Sequence, residues 1–249
     1  MRVLLTLVTL LVCGLLPAVA TAQEKELSPE EVKALYDKAD KALNEAWAEA
    51  KQKLSERDFT KLKDEQRAWM GYRDYLARSP MYTGEPAQDE LPLDSPAYLK
   101  AAAGLEDMRT EYLKGLVRAW NEDENMTGRW TDSYGGHIDI VERDGRLHFV
   151  MECVRGPTSH IGGISGEAVW NRTIGWFSDK GRAEKGDEGE TSLSFIRRDG
   201  RLEIIGANTG YYHGARAYFD GDYVKTSTLS AQDQEKIIKA AKDGDVPEQ

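Results

Sequence analysis

The chain has 249 residues, 40% hydrophobic and 31% charged, enough for one large domain or two small ones with separate cores. Its formal charge of -10 at pH 7 repels nucleic acid and anionic lipid, and it favours encounter with a cationic partner. Two cysteines and four dispersed histidines supply neither a disulfide framework nor a structural zinc site, so no metal and no cofactor are expected.

In chain order, Arg2 precedes a long apolar run that contains Pro17 and ends in the small residues Ala20, Thr21 and Ala22. This is the layout of a cleaved secretory signal peptide over residues 1–22, and the run is short for a membrane-spanning helix. Cys13 lies inside the run behind Val12 rather than at its end behind a small residue, so no lipid anchor is expected. The expected product is periplasmic or secreted, with no membrane anchor. It begins near Gln23 and carries 32 basic and 43 acidic side chains, a net charge of -11. Cys153 is its one cysteine, which leaves stability to packing.

From residue 23 to 124 glycine is scarce and the spacing is helical. Ser28-Pro29-Glu30-Glu31 opens the first helix with a capping box, and Val32, Leu35, Tyr36, Ala39, Leu43, Trp47, Ala50 and Leu54 mark its buried face. A second helix spans about 58–78 with Phe59, Leu62, Gln66, Trp69, Arg73 and Leu76 on one stripe. The buried Arg73 needs an acceptor, either an acid of a neighbouring helix or the carbonyl of Asn44. A third helix runs from Ser95-Pro96 to about Trp120, with Leu99, Ala102, Leu105, Tyr112, Leu113, Leu116 and Trp120 inward. Three amphipathic helices so connected predict an antiparallel bundle.

Residues 125–229 change character: glycine is frequent and the runs are short and alternating. Asp144-Gly145 and Asp199-Gly200 read as two-residue hairpin turns. The first pairs Glu142 with Leu147, Ile140 with Phe149 and Ile138 with Met151, leaving His137, Asp139, His148 and Glu152 on a polar face. The second pairs Phe195 with Ile204 and Leu193 with Gly206. Further strands are predicted at 128–134, 161–169, 170–178 and 217–225, giving about eight strands in a small antiparallel barrel or a sandwich. Residues 230–249 carry a weak helical pattern, read as a peripheral helix or frayed tail. The fold class is therefore α+β.

The stretch 42–78 resembles the LprI-like lysozyme-inhibitor domain of exported bacterial proteins. Leu43-Asn44 with Trp47, then Leu62, Gln66-Arg67, Trp69 and Arg73-Asp74, stand at that family's spacing. The resemblance covers roughly residues 28–120. It implies a helical domain in which Leu43, Asn44, Trp47, Leu62, Gln66, Trp69 and Arg73 are structural, and a macromolecular partner, with lysozyme the one in the family's name. Members usually carry cysteines around these helices, and this chain has none there. Gly128-Arg129-Trp130 resembles the opening strand of lipocalin-like and avidin-like barrels, in which the tryptophan closes one end.

A Cys153–His160 nucleophilic pair is the sharpest enzyme reading, but hairpin parity turns Cys153 inward with Phe149 and Met151, so no enzyme is expected. The glycine- and proline-rich stretch 153–166 reads as a shaped loop, with Arg155, Thr158 and His160 as partner contacts. Arg67 and Asp74 are read as outward contacts on the second helix. The leading expectation is an exported LprI-like protein that binds a cationic lysozyme-type protein. The alternative is a barrel that binds a small apolar ligand, with the helices as an accessory; it requires a lumen wider than its own side chains can fill.

Overall fold

Ser28, Ser55 and Ser95 each start a helix. Their hydroxyls accept the N–H groups of Glu31, Asp58 and Tyr98, and Glu31 returns the bond to the Ser28 N–H at 2.7 Å. The helices are α1 (Pro29–Lys53), α2 (Glu56–Leu76), a single turn α3 (Pro80–Thr83) and α4 (Pro96–Val117), so among the described residues the helical half has four helices where three were expected. The computed structural model describes residues 27–83, 91–121, 123–155, 160–180 and 189–246. The expected signal segment and Thr158 lie outside these residues. Among the described residues no helix is long and apolar enough to cross a membrane.

Helix α4 is the hub of the helical half. It packs along α1, against α2 and α3, and onto the last barrel strand. Leu43, Ala46 and Ala50 of α1 meet Leu62, Trp69 and Leu76 of α2 and Leu105 and Leu113 of α4 in one core. Trp47 is half-buried against Phe59, with ring centroids 5.0 Å apart. Trp120 lies beyond the end of α4, and its ring packs on Trp130 at 5.6 Å instead of in the helical core.

The second half is a closed meander, which decides between barrel and sandwich. The strands are β1 (Gly128–Thr131), β2 (His137–Arg143), β3 (Arg146–Arg155), β4 (His160–Trp170), β5 (Ile174–Ser178), β6 (Ser192–Arg198), β7 (Arg201–Ala207) and β8 (Gly221–Ser227), with β8 returning to β1. Both hairpin registers are as read: Ile140 faces Phe149 and Phe195 faces Ile204. Their turn residues hold positive φ, 51° and 71° at Asp144-Gly145 and 47° and 77° at Asp199-Gly200, the geometry that an Asp-Gly pair adopts most readily. The stretch 153–166 is a correction. Strand β3 runs to Arg155 and β4 starts at His160, so most of the expected loop is paired backbone, with Cys153 opposite Gly162.

Side chains fill the lumen. Trp130, Phe149, Phe195, Phe219 and Tyr223 are fully buried there, and Phe149 contacts Phe177 and Phe195 at 5.1 and 4.9 Å. Gly166 is glycine because a Cβ would overlap the Phe177 ring. A lumen filled in this way does not meet the requirement of the apolar-ligand reading. Trp130 donates its indole N–H to the Met126 carbonyl at 2.9 Å, and Trp120 covers it, so one end is closed by two tryptophans.

The outside of the barrel is covered unevenly. A C-terminal helix, α5 (Ala231–Asp243), capped by Ser230, lays Ile237, Ile238 and Ala240 over Val141 of β2 and Val150 of β3. Asp139 and His148, assigned to a polar face by parity, are buried on that same outer side of the sheet. Val224 of β8 belongs to the helical core. Away from α5, Val169 of β4 and Trp176 of β5 are paired across strands and more than half exposed.

Gly115 marks how closely α4 meets β8. A Cβ there would lie 2.9 Å from both the Lys225 carbonyl oxygen and Val224 Cγ2, whereas a Cβ at Gly104 of the same helix would meet nothing within 4 Å. Gly115→Ala is therefore expected to destabilise by about 1–3 kcal/mol, and Gly104→Ala to stabilise by roughly 0.5–1 kcal/mol. Urea denaturation of the two variants tests the contrast, and equal midpoints would contradict it.

Candidate functional site

The polar residues on the inner stripe of α2 are matched by two charged residues of α4, one turn apart. Arg73 donates from Nη1 to Glu106 Oε1 at 2.6 Å, and from Nε and Nη2 to Asp74 Oδ1 at 2.9 and 2.7 Å. Asp74 Oδ1 also accepts the Tyr98 hydroxyl at 2.8 Å. Arg109 donates from Nε to Gln66 Oε1 at 2.8 Å and pairs through Nη1 with Glu65 at 2.9 Å. The Trp69 ring takes both guanidinium groups, Arg73 at 5.8 Å and Arg109 at 5.5 Å. Gln66, Trp69 and Arg73 thus bind α2 to α4. The Arg73 acceptors are acids, not the Asn44 carbonyl; Asn44 is exposed and its amide turns back to Asp40.

Glu106 and Arg109 are fully buried, and sequence reasoning missed them. Their signal is an interruption: two charges fall between Leu105 and Tyr112 on the stripe that α4 buries. Arg109 also reaches the barrel, where Nη1 approaches the Ser133 carbonyl at 3.4 Å.

Ser133 belongs to the turn Asp132–Gly136 between β1 and β2. Asp132 shapes it by accepting the N–H groups of Tyr134 and Gly136 at 2.8 and 2.9 Å. The other oxygen of Asp132 pairs with Arg155 Nη1 at 2.5 Å, and both side chains are only 4% exposed. Arg155 also lies over the rings of Tyr218 at 4.4 Å and Tyr134 at 5.4 Å. Burial pushes the Asp132 carboxyl up, and Arg155 pulls it down.

These contacts relocate the expected partner residues. Arg155 is not an outward loop residue: it ends β3 and is committed to Asp132 at the barrel mouth. His160 faces it in register and is half-buried. Asp74 accepts three hydrogen bonds, from Arg73 Nε and Nη2 and from the Tyr98 hydroxyl, and its side chain is still 40% exposed. Arg67 is exposed beside Asp64. Cys153 is buried in the lumen, and burial pushes its thiol up to about 11. A neutral, enclosed thiol is no nucleophile.

The Asp132–Gly136 turn lies at the seam between helices and barrel. Two clefts flank it, of about 330 and 350 Å³, and both are walled by Tyr112, Asp132, Ser133 and Tyr134. Trp69, Tyr72, Leu105 and Met108 line the first, with Asp107 and Glu111; the second adds Tyr218, Glu65, Asp220 and Asp222. A third, of about 450 Å³, shares Arg129, His137 and Ser227 with the first and continues to α5. Tyr134, Tyr218 and Met108 are each more than two-fifths exposed, and Tyr72 meets Tyr134 edge-on at 6.3 Å. Partly exposed tyrosines with acids between them give large, rigid contact area and negative potential. Among the described residues no group of three or more His, Cys, Asp or Glu is placed to hold a metal ion.

Two acids, Asp74 and Glu106, hold Arg73. Burial pushes the Glu106 carboxyl up to about 7, against the pull of Arg73, with Asp40 adding repulsion. A folded-state pKa above the unfolded value means that the folded chain binds the proton more tightly. This group's contribution is then fully present below the ordinary carboxylate value near 4.5 and is lost as pH rises through about 7. His137 and His148, lowered by burial, act in the opposite direction. The readout is therefore a difference: between pH 5 and 8 the urea midpoint of Glu106→Gln should fall less, or rise more, than that of the unaltered chain. Parallel pH profiles would contradict the assignment.

Comparison with known proteins places one family on these elements. Residues 20–114 match the family model described as Lysozyme inhibitor LprI. No curated protein and no solved structure matched the chain. The match falls on the helical half, with Trp69 between its two arginines, and the barrel lies outside it.

Proposed function

We propose that the protein is an exported binding protein that captures a cationic macromolecule, a lysozyme-type muramidase, and blocks it. The observation that carries this reading is the seam: a tyrosine- and acid-lined edge built jointly by the domain that matches the inhibitor family and by the barrel. The net charge of -10 supports it, because an acidic surface speeds encounter with a basic partner. The reading does not involve catalysis. The free cysteine is enclosed, and the buried acids Glu106 and Asp132 are held by arginines.

In this reading the helical domain (23–124) and the barrel domain (125–229) act as one unit, with the tail 230–249 bound to the barrel. The Arg109–Ser133 contact and the α4–β8 packing keep the two sides of the seam in register. Blocking follows if that edge covers the glycan cleft of the muramidase. The test is an activity assay with an animal-type lysozyme and purified residues 23–249. Inhibition is expected at low ionic strength and should weaken with added salt, as the screening length falls from about 30 Å to about 8 Å. Absence of inhibition at low salt would rule the muramidase out.

A further inference from the structure

We propose that the first seam cleft is a socket for a single arginine or lysine side chain of the protein partner. The inference rests on the partner-binding reading above and names the chemistry recognised. A cleft of about 330 Å³ suits one long side chain, not a segment of chain. Its interior offers Leu105, Met108 and Tyr134 to an aliphatic stem, and Asp107 and Glu111 stand with them in its wall for a charged head. The two acids are four residues apart on α4, so they share a face, and both are exposed. A side chain that buries its stem and keeps its cation at an acidic edge matches this arrangement.

The charges around the cleft favour a cation. Arg109 pairs with Glu65, and Arg129 makes a two-point contact with Asp139 at 2.8 and 2.7 Å. Asp132 is held by Arg155, and burial keeps His137 toward its neutral form. Glu111 pairs with Lys114, and both are about half exposed, so a partner's cation can displace Lys114. Tyr134 lines both clefts, whereas Arg155, which lies over its ring, lines only the second. A guanidinium in the first cleft would meet the same ring from the other side.

The experiment is a titration of ¹⁵N-labelled residues 23–249 with N-acetylarginine amide, and with the citrulline and glutamate analogues as probes. The expected result is saturable shifts at Met108 and Ser133–Gly135, with citrulline about five-fold weaker or worse. The variant D107N/E111Q, altered only at exposed positions, should lose about five-fold in arginine affinity, with the rest of its spectrum unchanged. Shifts scattered over the acidic surface, tighter binding of glutamate, or an unaltered affinity in the double variant would each overturn the socket. The lysozyme assay separates the two readings. Arginine binding here without inhibition keeps the socket and dismisses the muramidase. Full inhibition by D107N/E111Q keeps the muramidase and dismisses the socket.

Discussion

Arg109 is a guanidinium at 2% exposure, and an interior tolerates such a charge only when it is answered. The answers come from three directions: Gln66 and Glu65 on α2, the rings of Trp69 and Tyr112, and the Ser133 carbonyl on the barrel. Each dictates something about its own element. Gln66 and Trp69 must lie one turn apart on the face α2 turns to α4. Ser133 must be presented outward, which requires the Asp132–Gly136 turn to keep its shape. Asp132 in turn keeps that shape only with Arg155 at the end of β3. One buried cation thereby ties the family's sequence pattern to a barrel that the family match does not include.

This chain of dependence explains which parts were legible beforehand. Hairpin register follows from local rules, since an Asp-Gly turn and a two-residue side-chain period need no knowledge of the rest of the molecule; Ile138, Ile140, Phe149 and Phe195 fell on the correct face for that reason. Helix starts at Ser28 and Ser95 depend on hydrogen bonds within four residues and are equally local; the second helix starts at the Ser55 cap, before the expected start near 58. The Cys153 parity argument succeeded by the same logic.

The failures share the opposite property. Asp139 and His148 were placed on the polar outer face, but nothing local says that a helix ninety residues later covers that side of the sheet and buries them. Arg155 looked available because its partner, Asp132, is more than twenty residues away. The stretch 153–166 looked like a loop because its glycines suggest turns, whereas Gly162 and Gly166 are there to let His213 and Phe177 approach the sheet closely. The seam could not be found from either half alone, because its walls come from α2, α4, β1 and the turn after it. The signal present was subtler: charges at 106 and 109 interrupting an apolar stripe announce a buried network.

The closure of β8 onto β1 has a consequence for the order of assembly. About a hundred residues separate Trp130 from its partner Lys225, so the final pairing carries a high loop-closure cost and a long sequence separation. The same strand inserts Val224 into the helical core beneath Gly115. Helices and early hairpins involve near neighbours and can form as the chain emerges. Neither the barrel nor the helical core is complete until the last strand has arrived. Until then β1 and β7 remain open edges with unpaired backbone, so the chain is most exposed to association just before it is finished.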